Sequence, residues 1–541
     1  MIILGINGGF RQGYQDVSAV IVKDGELLAA VEEERLSRVK FSAGRLPYLS
    51  VLEVLKITGL TIEDFDLVAF HGSTWEAEIE DRITAYFKNH FGFAPPIKRF
   101  HHHDCHAAST FYASGFDKAL VVTLDNSGDG ISLQISLGEN GKLQVLKRFE
   151  RPNSLGGFYS LITQYCGFVK DSDEYKLMGL SSYGDKDKYD FSWLIDYQNG
   201  QLQINQDYLI KIAPKAPSPH RDEMNFNDLF IKKMGRGRRI PKADFDQFYK
   251  DVAASAQKHL ESLMKKMVQE YLQTTQTNKL CLAGGTALNC VMNQQLMNMA
   301  AVENIFIQPA AGDAGISLGA AWLASVENNF SPQKTLHTYW GNAYNDEQIE
   351  AVLKIAQIKY QKINNPAEKA AHLIAENKVI GWFQGRMEFG PRALGNRSIL
   401  ANPCHPDMQE IVNKKIKFRE SFRPFCPSVA EEDAAQYFEG KSPVSPYMTI
   451  TYKVKETQQK NIPSVTHVDG TARIQTVNKN QNPLFYDLLQ NLKKHTGHAV
   501  VMNTSFNLSH EPIVATPRDA LASFYASGMD ALIIGNFLVE K

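Results

Sequence analysis

The chain has 541 residues, too many for a single hydrophobic core, so about two to four domains are expected. Its 58 basic and 59 acidic side chains leave a net charge of −1, which argues against nonspecific attachment to nucleic acid or to a membrane surface. Six scattered cysteines without a CxxC pair indicate neither a zinc ribbon nor a disulfide framework. No apolar run reaches ~18 residues and Met1–Gly5 carries no basic leader, so a cytoplasmic protein without a membrane span is expected.

The elements follow in order. Ile2 to Ile6 reads as a strand ending in Asn7-Gly8-Gly9, Ser18 to Val22 as a second, and Leu27 to Val31 as a third across the hairpin signal Lys23-Asp24-Gly25-Glu26. Next comes His102-His103-Asp104-Cys105-His106, in which one helix would set His102 and His106 on the same face. His101 and His103 offer a competing register, but His102 with His106 uses the last histidine at i, i+4. Ala119 to Leu124 reads as a buried strand with Asp125 at its end, and the glycines of Asp125-Asn126-Ser127-Gly128-Asp129-Gly130 let backbone N–H groups approach a phosphate. Then follow Ile131 to Ser136, the turn Gly138 to Gly141, and Leu143 to Phe149. Strand, glycine-rich loop and hairpin thus occur twice, the pattern of a duplicated nucleotide-binding fold of the sugar-kinase and actin kind.

Phe248 to Leu272 is an amphipathic helix candidate. Lys279 to Ala283 is a strand running into Gly284-Gly285-Thr286-Ala287-Leu288-Asn289, and Ile305 to Ile307 one running into the glycine-rich loop that holds Asp313. Small residues between strand and helix suit phosphate or adenosine contact. Two imidazoles with Asp125 and Asp313 suit Fe(II), Zn or Mn, and spacing does not choose among them. Asn328 to Asn345, broken by Pro332 and Gly341, reads as a linker, followed by a helix from Asp346 to about Gln357. Val379 to Phe383 is a strand leading into an arginine- and glycine-rich run from Gln384 to Ser398; Lys417-Phe418-Arg419, Arg423-Pro424-Phe425, and a strand Ala499 to Met502 running into Asn503-Thr504-Ser505-Phe506-Asn507 follow. Arginines interleaved with glycine and proline, with few acidic partners, suggest a phosphoanion pocket rather than a solvated salt-bridge face. No GxxxxGK[ST] occurs, so this is not a P-loop protein. Cys105, Cys281 and Cys426 read as small core residues.

These residues carry a resemblance. Glu32-Glu33-Glu34-Arg35, His102 to Ser109, Lys176-Leu177-Met178-Gly179-Leu180, Ala283-Gly284-Gly285, Gly390-Pro391-Arg392-Ala393-Leu394-Gly395, Arg423-Pro424-Phe425 and Asn503 to Asn507, in this order, resemble the O-carbamoyltransferases of the nodulation-protein NodU and cephalosporin carbamoyltransferase family, which includes a tobramycin-modifying enzyme. The resemblance implies an α/β protein. Its N-terminal domain, residues 1–335, would be TsaD-like with the duplicated actin-like fold; its C-terminal domain, residues 346–541, would be YrdC-like. It further implies that carbamoyl phosphate and ATP, the latter with Mg, give carbamoyl adenylate in the C-terminal domain. The intermediate passes internally to the N-terminal domain, where an iron-assisted transfer to a hydroxyl occurs.

The resemblance places that metal, Fe(II), on His102, His106, Asp125 and Asp313. Nucleotide contacts in the N-terminal domain are expected from Asn126, Gly128, Lys176, Gly284, Gly285, Asn289 and Asp313. Those for carbamoyl phosphate and ATP in the C-terminal domain are expected from Arg386, Arg392, Lys417, Arg419, Arg423, Asn503, Ser505 and Asn507. Two departures matter. The family commonly has histidine where Gln15 stands, so Asp16 joins His102 and His106 as a catalytic candidate; and an arginine common after the Ser505-Phe506-Asn507 segment is missing, with His510 the candidate substitute. The basic loop from Ala213 to Lys242 is expected either to shape the acceptor site or to be a solvated basic loop. The expected partner is a small, specialised metabolite carrying a hydroxyl, with no nucleic acid and no membrane, and a homodimer is the prior. The rival readings are a threonylcarbamoyl-adenylate enzyme acting on tRNA, which predicts a basic face, and a non-catalytic nucleotide sensor, which predicts a degraded anion pocket.

Overall fold

The computed structural model describes residues 1–10, 16–210, 225–241, 243–420, 422–440 and 443–541. Gln15, residues 213–224 and Lys242 of the basic loop lie outside the described residues. The chain forms two compact units that interleave along the sequence. Unit 1 comprises Met1–Gly5, Asp24–Glu26 and Phe65–Lys334, and unit 2 comprises Ile6–Lys23, Leu27–Asp64 and Thr335–Lys541. The last crossing falls inside the stretch read as a linker. Both units are α/β.

The strands are β1 (Ile2–Asn7), β2 (Ser18–Lys23), β3 (Glu26–Glu32), β4 (Leu67–His71), β5 (Ile97–Phe100), β6 (Lys118–Gly128), β7 (Ile131–Glu139) and β8 (Lys142–Glu150). A short hairpin, β9 (Ile195–Gln198) and β10 (Gln201–Ile204), precedes β11 (Lys279–Ala283) and β12 (Asn304–Ile307). Unit 1 contains the order β1-β4-β5 and, in a second sheet, β12-β11-β6-β7-β8; unit 2 contains the order β3-β2-β1. The neighbour order of the first five strands is therefore repeated by β8-β7-β6 and β6-β11-β12. In the second sheet β6, β7 and β8 form an antiparallel meander, while β11 lies parallel to β6 and to β12. This is the duplication read from the sequence.

In each copy a helix follows the fifth strand: His102–Ser114 after β5 and Ile316–Glu327 after β12. The two pack against each other closely, because a Cβ on Gly319 would stand 1.8 Å from the Cys105 carbonyl oxygen. Ala119 to Leu124 of β6 are at most 1 % exposed, covered by the helices His102–Ser114, Leu155–Tyr165 and Gln247–Thr275. Each large aliphatic side chain buried there stabilises the fold by about 1.5–3 kcal/mol.

Unit 2 is built on an eight-stranded mixed sheet with helices against it. Its later strands are β13 (Gln361–Lys362), β14 (Ile380–Phe383), β15 (Arg397–Ala401), β16 (Cys426–Ala430), β17 (Thr451–Lys453), β18 (Thr471–Arg473), β19 (Gln475–Val477), β20 (Val500–Ser505), β21 (Ala531–Ile534) and β22 (Phe537–Glu540). The large sheet has the order β13-β22-β21-β14-β15-β20-β16-β19, and β17 pairs with β18 alone. Helices Pro366–Ala375 and Pro483–Thr496 cover it through Ala370, Ile374, Leu488 and Leu492, packed on Trp382, Val501 and Ile533.

Most expected strand ends lie within a residue or two of the observed ones; β7 and β20 each run three residues past the expected end, and the difference at β6 is the informative one. β6 does not stop at Asp125 but continues to Gly128, while its regular pairing with β7 breaks between Leu124 and Gly128. The bulge turns residues 125 to 127 out of the ladder.

Candidate functional site

In unit 1, the helix His102–Ser114 starts where it does because two acceptors take its first free N–H groups. His101 accepts from the His103 N–H at 3.2 Å, and the Asp129 carboxylate accepts from the His102 N–H at 2.9 Å. Asp129 also accepts from the Thr74 hydroxyl at 2.8 Å. The first helical turn then aims His102 and His106 at the bulged end of β6. His102 Nε2 stands 3.4 Å and His106 Nε2 3.2 Å from Asp125 Oδ2. Asp313, at the turn that opens the equivalent helix of the second copy, places Oδ1 3.5 Å from His106 Nε2 and 3.9 Å from His102 Nε2. All four ligand atoms lie within 4.8 Å of one another.

The backbone leaves no slack here. A Cβ on Gly128 would fall 2.0 Å from the His102 ring. Gly284 has φ +92° and packs so that a Cβ would lie 2.0 Å from the Leu124 carbonyl oxygen. Gly284→Ala is therefore expected to destabilise the protein by about 2–4 kcal/mol, through a clash and an unfavourable φ together, measured by thermal unfolding. Gly285 approaches the same place, its Cβ direction 3.4 Å from Asp125 Oδ1.

Burial pulls the His106 imidazole down, but the carboxylates of Asp125 and Asp313 overcome it and raise it to about 9. Burial pushes Asp125 up, and the imidazoles of His102 and His106 outweigh it, holding the carboxyl well below its ordinary range. A proton and a cation compete for the same space. His103 takes no part: its ring is tied to the Thr123 hydroxyl at 2.7 Å and the Ile131 carbonyl at 3.0 Å, and burial keeps it neutral.

Of the other nucleotide candidates in unit 1, Asn126 donates to Asp171 at 2.8 Å and Lys176 pairs with Asp173 at 3.0 Å. Asn289 is occupied otherwise. It exchanges amide hydrogen bonds with Gln257 at 2.9 and 3.0 Å and caps the helix Cys290–Met297.

Asp16 lies in unit 2, at φ 54°, its carbonyl accepting from the Asn7 amide at 3.0 Å. Elsewhere in unit 2, Lys417, 5 % exposed, donates to Ser505 O, to Asn507 O at 3.0 Å and to Asn507 Oδ1 at 2.8 Å. Ser505 in turn donates to Asn507 Oδ1 at 2.6 Å. Burial, then the charges of Arg419, Arg423 and Lys40, hold the Lys417 ammonium well below the ordinary lysine range. Arg419 donates to Asn413 Oδ1 at 2.7 Å and lies 4.5 Å over the Phe425 ring. Asn503 donates within the protein, to Ser428 and Gln475 at 3.0 Å each, and turns its Oδ1 to no hydrogen-bond donor among the described residues.

Two arginines of the glycine-rich run hold backbone carbonyls. Arg386 donates to the carbonyls of Trp340 at 2.7 Å, Gly341 at 3.1 Å and Leu28 at 3.2 Å. Its Nε and Nη2 are engaged in this way. Arg397, fully buried, sits 3.7 Å over the Phe383 ring and donates to Gln384, Asn396, Asn342 and Gly385. Arg392 is half-buried at the loop itself. The residue that shapes this loop is one the sequence did not single out. Buried Glu388 accepts from the N–H groups of Leu394 at 2.7 Å, Asn396 at 2.8 Å and Arg397 at 3.3 Å. Only its place inside the Gln384–Ser398 run marks it.

Residues 83–322 match the family model described as Carbamoyltransferase N-terminus and residues 371–541 the one described as Carbamoyltransferase C-terminus. The chain is 35 % identical to nodulation protein NolNO of Sinorhizobium fredii, over 100 % of this chain and 83 % of that one. It is 26 % identical to the 3'-hydroxymethylcephem-O-carbamoyltransferase of Amycolatopsis lactamdurans, with 98 % of each covered. Among solved structures, HypF of T. kodakarensis aligns with 61 % of this chain and 48 % of its own at 12 % identity and a TM-score of 0.37. Among the described residues, no helix is long and apolar enough to cross a membrane.

Proposed function

Because this chain belongs to the carbamoyltransferase family and is a transferase, we infer that it moves a carbamoyl group onto a hydroxyl of a small metabolite in an ATP-dependent reaction. Carbamoyl adenylate is formed in unit 2, whose fold we read as YrdC-like, and consumed in the TsaD-like unit 1. The observation that carries this reading is the convergence of His102 and His106, from the helix of one structural repeat, with Asp125 and Asp313 of the other.

In unit 2 the work is binding and charge neutralisation. Lys417, Arg419, Arg423 and Arg392 hold phosphates of ATP, with its Mg, and of carbamoyl phosphate. Water cleaves carbamoyl phosphate to carbamate and inorganic phosphate; a carbamate oxygen then attacks the α-phosphorus of ATP, the bond to the β-phosphate breaks and pyrophosphate leaves. The Oδ1 of Asn503 suits the N–H of a carbamoyl group. Both carbamate and its adenylate decompose in water, so the buried setting of Lys417 and Asn503 also protects them.

In unit 1 the two imidazoles and two carboxylates fit a divalent cation. The resemblance favours Fe(II), and the donor set also admits Zn or Mn. Bound there, such a cation supplies positive charge against the oxygens of the adenylate. Glycine-lined backbone at Gly128, Gly284 and Gly285 admits the nucleotide, and Lys176 lends a charge to its phosphate. The hydroxyl attacks the carbamoyl carbon and AMP leaves. Neutral His103 is not placed to take the hydroxyl proton, and Gln15 is not chemically suited to it.

Incubation with ATP, Mg and carbamoyl phosphate but no acceptor tests the reading. Pyrophosphate is expected to appear; none with Fe(II), Zn or Mn supplied in turn would contradict it. Screening alcohols by mass spectrometry for carbamoylated products then identifies the acceptor class.

A further inference from the structure

The glycine-rich run from Gln384 to Ser398 folds around a single carboxylate. Glu388, 3 % exposed, accepts on Oε1 from the N–H groups of Leu394 at 2.7 Å, Asn396 at 2.8 Å and Arg397 at 3.3 Å. Backbone N–H groups converging on one point form the kind of concavity that takes a phosphate oxygen in glycine-rich loops. Here the protein's own carboxylate fills it, and charge-assisted bonds of this kind are roughly twice as strong as neutral ones. Oε2 meets no donor among the described residues, so Oε1 alone makes the junction. The close fold needs glycine at one point: Gly395 has φ +104°, and a Cβ there would stand 2.3 Å from the Phe485 ring.

Glu388 is in turn fixed to the chain before it. Glu388 and Tyr339 face each other across an antiparallel bridge, in which the Phe389 N–H donates to Thr338 O at 2.7 Å and the Gly341 N–H to Met387 O at 2.9 Å. Beyond the carboxylate, the segment that carries Arg392 is pinned at both ends. The Gly390 carbonyl accepts from Arg35 at 2.9 Å. The Leu394 carbonyl accepts from the Tyr339 hydroxyl at 2.9 Å and from the Gln475 amide at 2.8 Å, while its N–H is held by Glu388. Arg392, half-buried, thus stands two residues from a held point on either side, beside a nest that is already filled.

We propose that Glu388 is a positioning residue for Arg392: by filling the nest it fixes the Gly390–Leu394 segment and transfers anion recognition from the loop backbone to the arginine side chain. The anion is a phosphoryl group of ATP or of carbamoyl phosphate. The proposal rests on the reading of unit 2 as the adenylate-forming unit.

Calorimetric titration of the full chain with inorganic pyrophosphate tests the link through a double-mutant cycle. Arg392→Gln is expected to weaken binding about tenfold, the size of one charge-assisted contact. Glu388→Gln keeps an acceptor but gives up the charge, and is expected to weaken binding about three- to tenfold. The double variant should bind no more weakly than Arg392→Gln alone. Additive losses, or full affinity in either single variant, would overturn the proposal. Kinetics of pyrophosphate release separate positioning from upkeep of the fold: Glu388→Gln should raise the same KM values, for ATP or for carbamoyl phosphate, that Arg392→Gln raises, and a different pattern counts against the proposal. Tyr339→Phe frees the Leu394 carbonyl without touching the carboxylate, and it decides the link if thermal unfolding finds Glu388→Gln unfolded. Its loss of affinity should vanish in the Arg392→Gln background; a loss that persists there overturns the proposal. If the parent releases no pyrophosphate, the reading of the reaction fails, while the titration still decides the coupling of Glu388 to Arg392.

Discussion

His106→Ala is expected to abolish carbamoyl transfer while leaving acceptor-independent pyrophosphate release largely unchanged. His106 is fully buried and its Nε2 faces both Asp125 and Asp313, at 3.2 and 3.5 Å. Alanine removes one of four donors and leaves two carboxylates opposed in a low-dielectric place. Altering even a supporting neighbour of a metal ligand typically weakens binding about 10–100-fold, and losing a ligand outright should exceed that. Transfer should fall by about three orders of magnitude, the effect of removing a principal electrostatic stabiliser. Three readouts separate the causes: bound metal by elemental analysis, carbamoylated product by mass spectrometry, and pyrophosphate by a coupled assay. Equal loss of product and pyrophosphate would contradict a division of labour between the two units.

The two histidines were legible because helical periodicity is local: four residues apart means one face, whatever else the chain does. Asp125 and Asp313 were legible as carboxylates beside glycines at strand ends. The strand order was half legible, since two hairpins announce a repeat but do not say which strands pair. What stayed hidden is what depends on distant chain. Asp129 stands in the quoted loop, yet nothing in the sequence says that it caps the helix beginning at His102. Arginine beside glycine looks the same whether it awaits a phosphate or, like Arg386 and Arg397, holds backbone carbonyls. Glu388 is one carboxylate among many until its three N–H donors are seen. The assignment of residues 6–23 and 27–64 to the unit formed mainly by the last two hundred residues is invisible to a contiguous reading, because local patterns carry no long-range pairing.

Lys417→Met is expected to remove adenylate formation, lowering pyrophosphate release about 10²–10³-fold, with transfer lost as a consequence and metal content unchanged. The lysine is buried, and its ammonium bridges Ser505 and Asn507, so the substitution keeps the stem while removing the charge and the bridge together. Methionine fills nearly the same space, which limits the loss of folding stability. The pH dependence discriminates further. Burial and the charges of Arg419, Arg423 and Lys40 depress the Lys417 ammonium well below the ordinary lysine range, so the proton leaves at lower pH than from a free lysine. The charged form binds phosphate; hence KM for carbamoyl phosphate should rise as pH increases through that depressed midpoint. Removing a neighbouring positive charge relaxes the depression, so Arg423→Gln should move the rise toward higher pH, and Lys417→Met should abolish it. An alkaline rise in KM that persists unchanged in Lys417→Met would assign the titration to another group and remove Lys417 from phosphate binding.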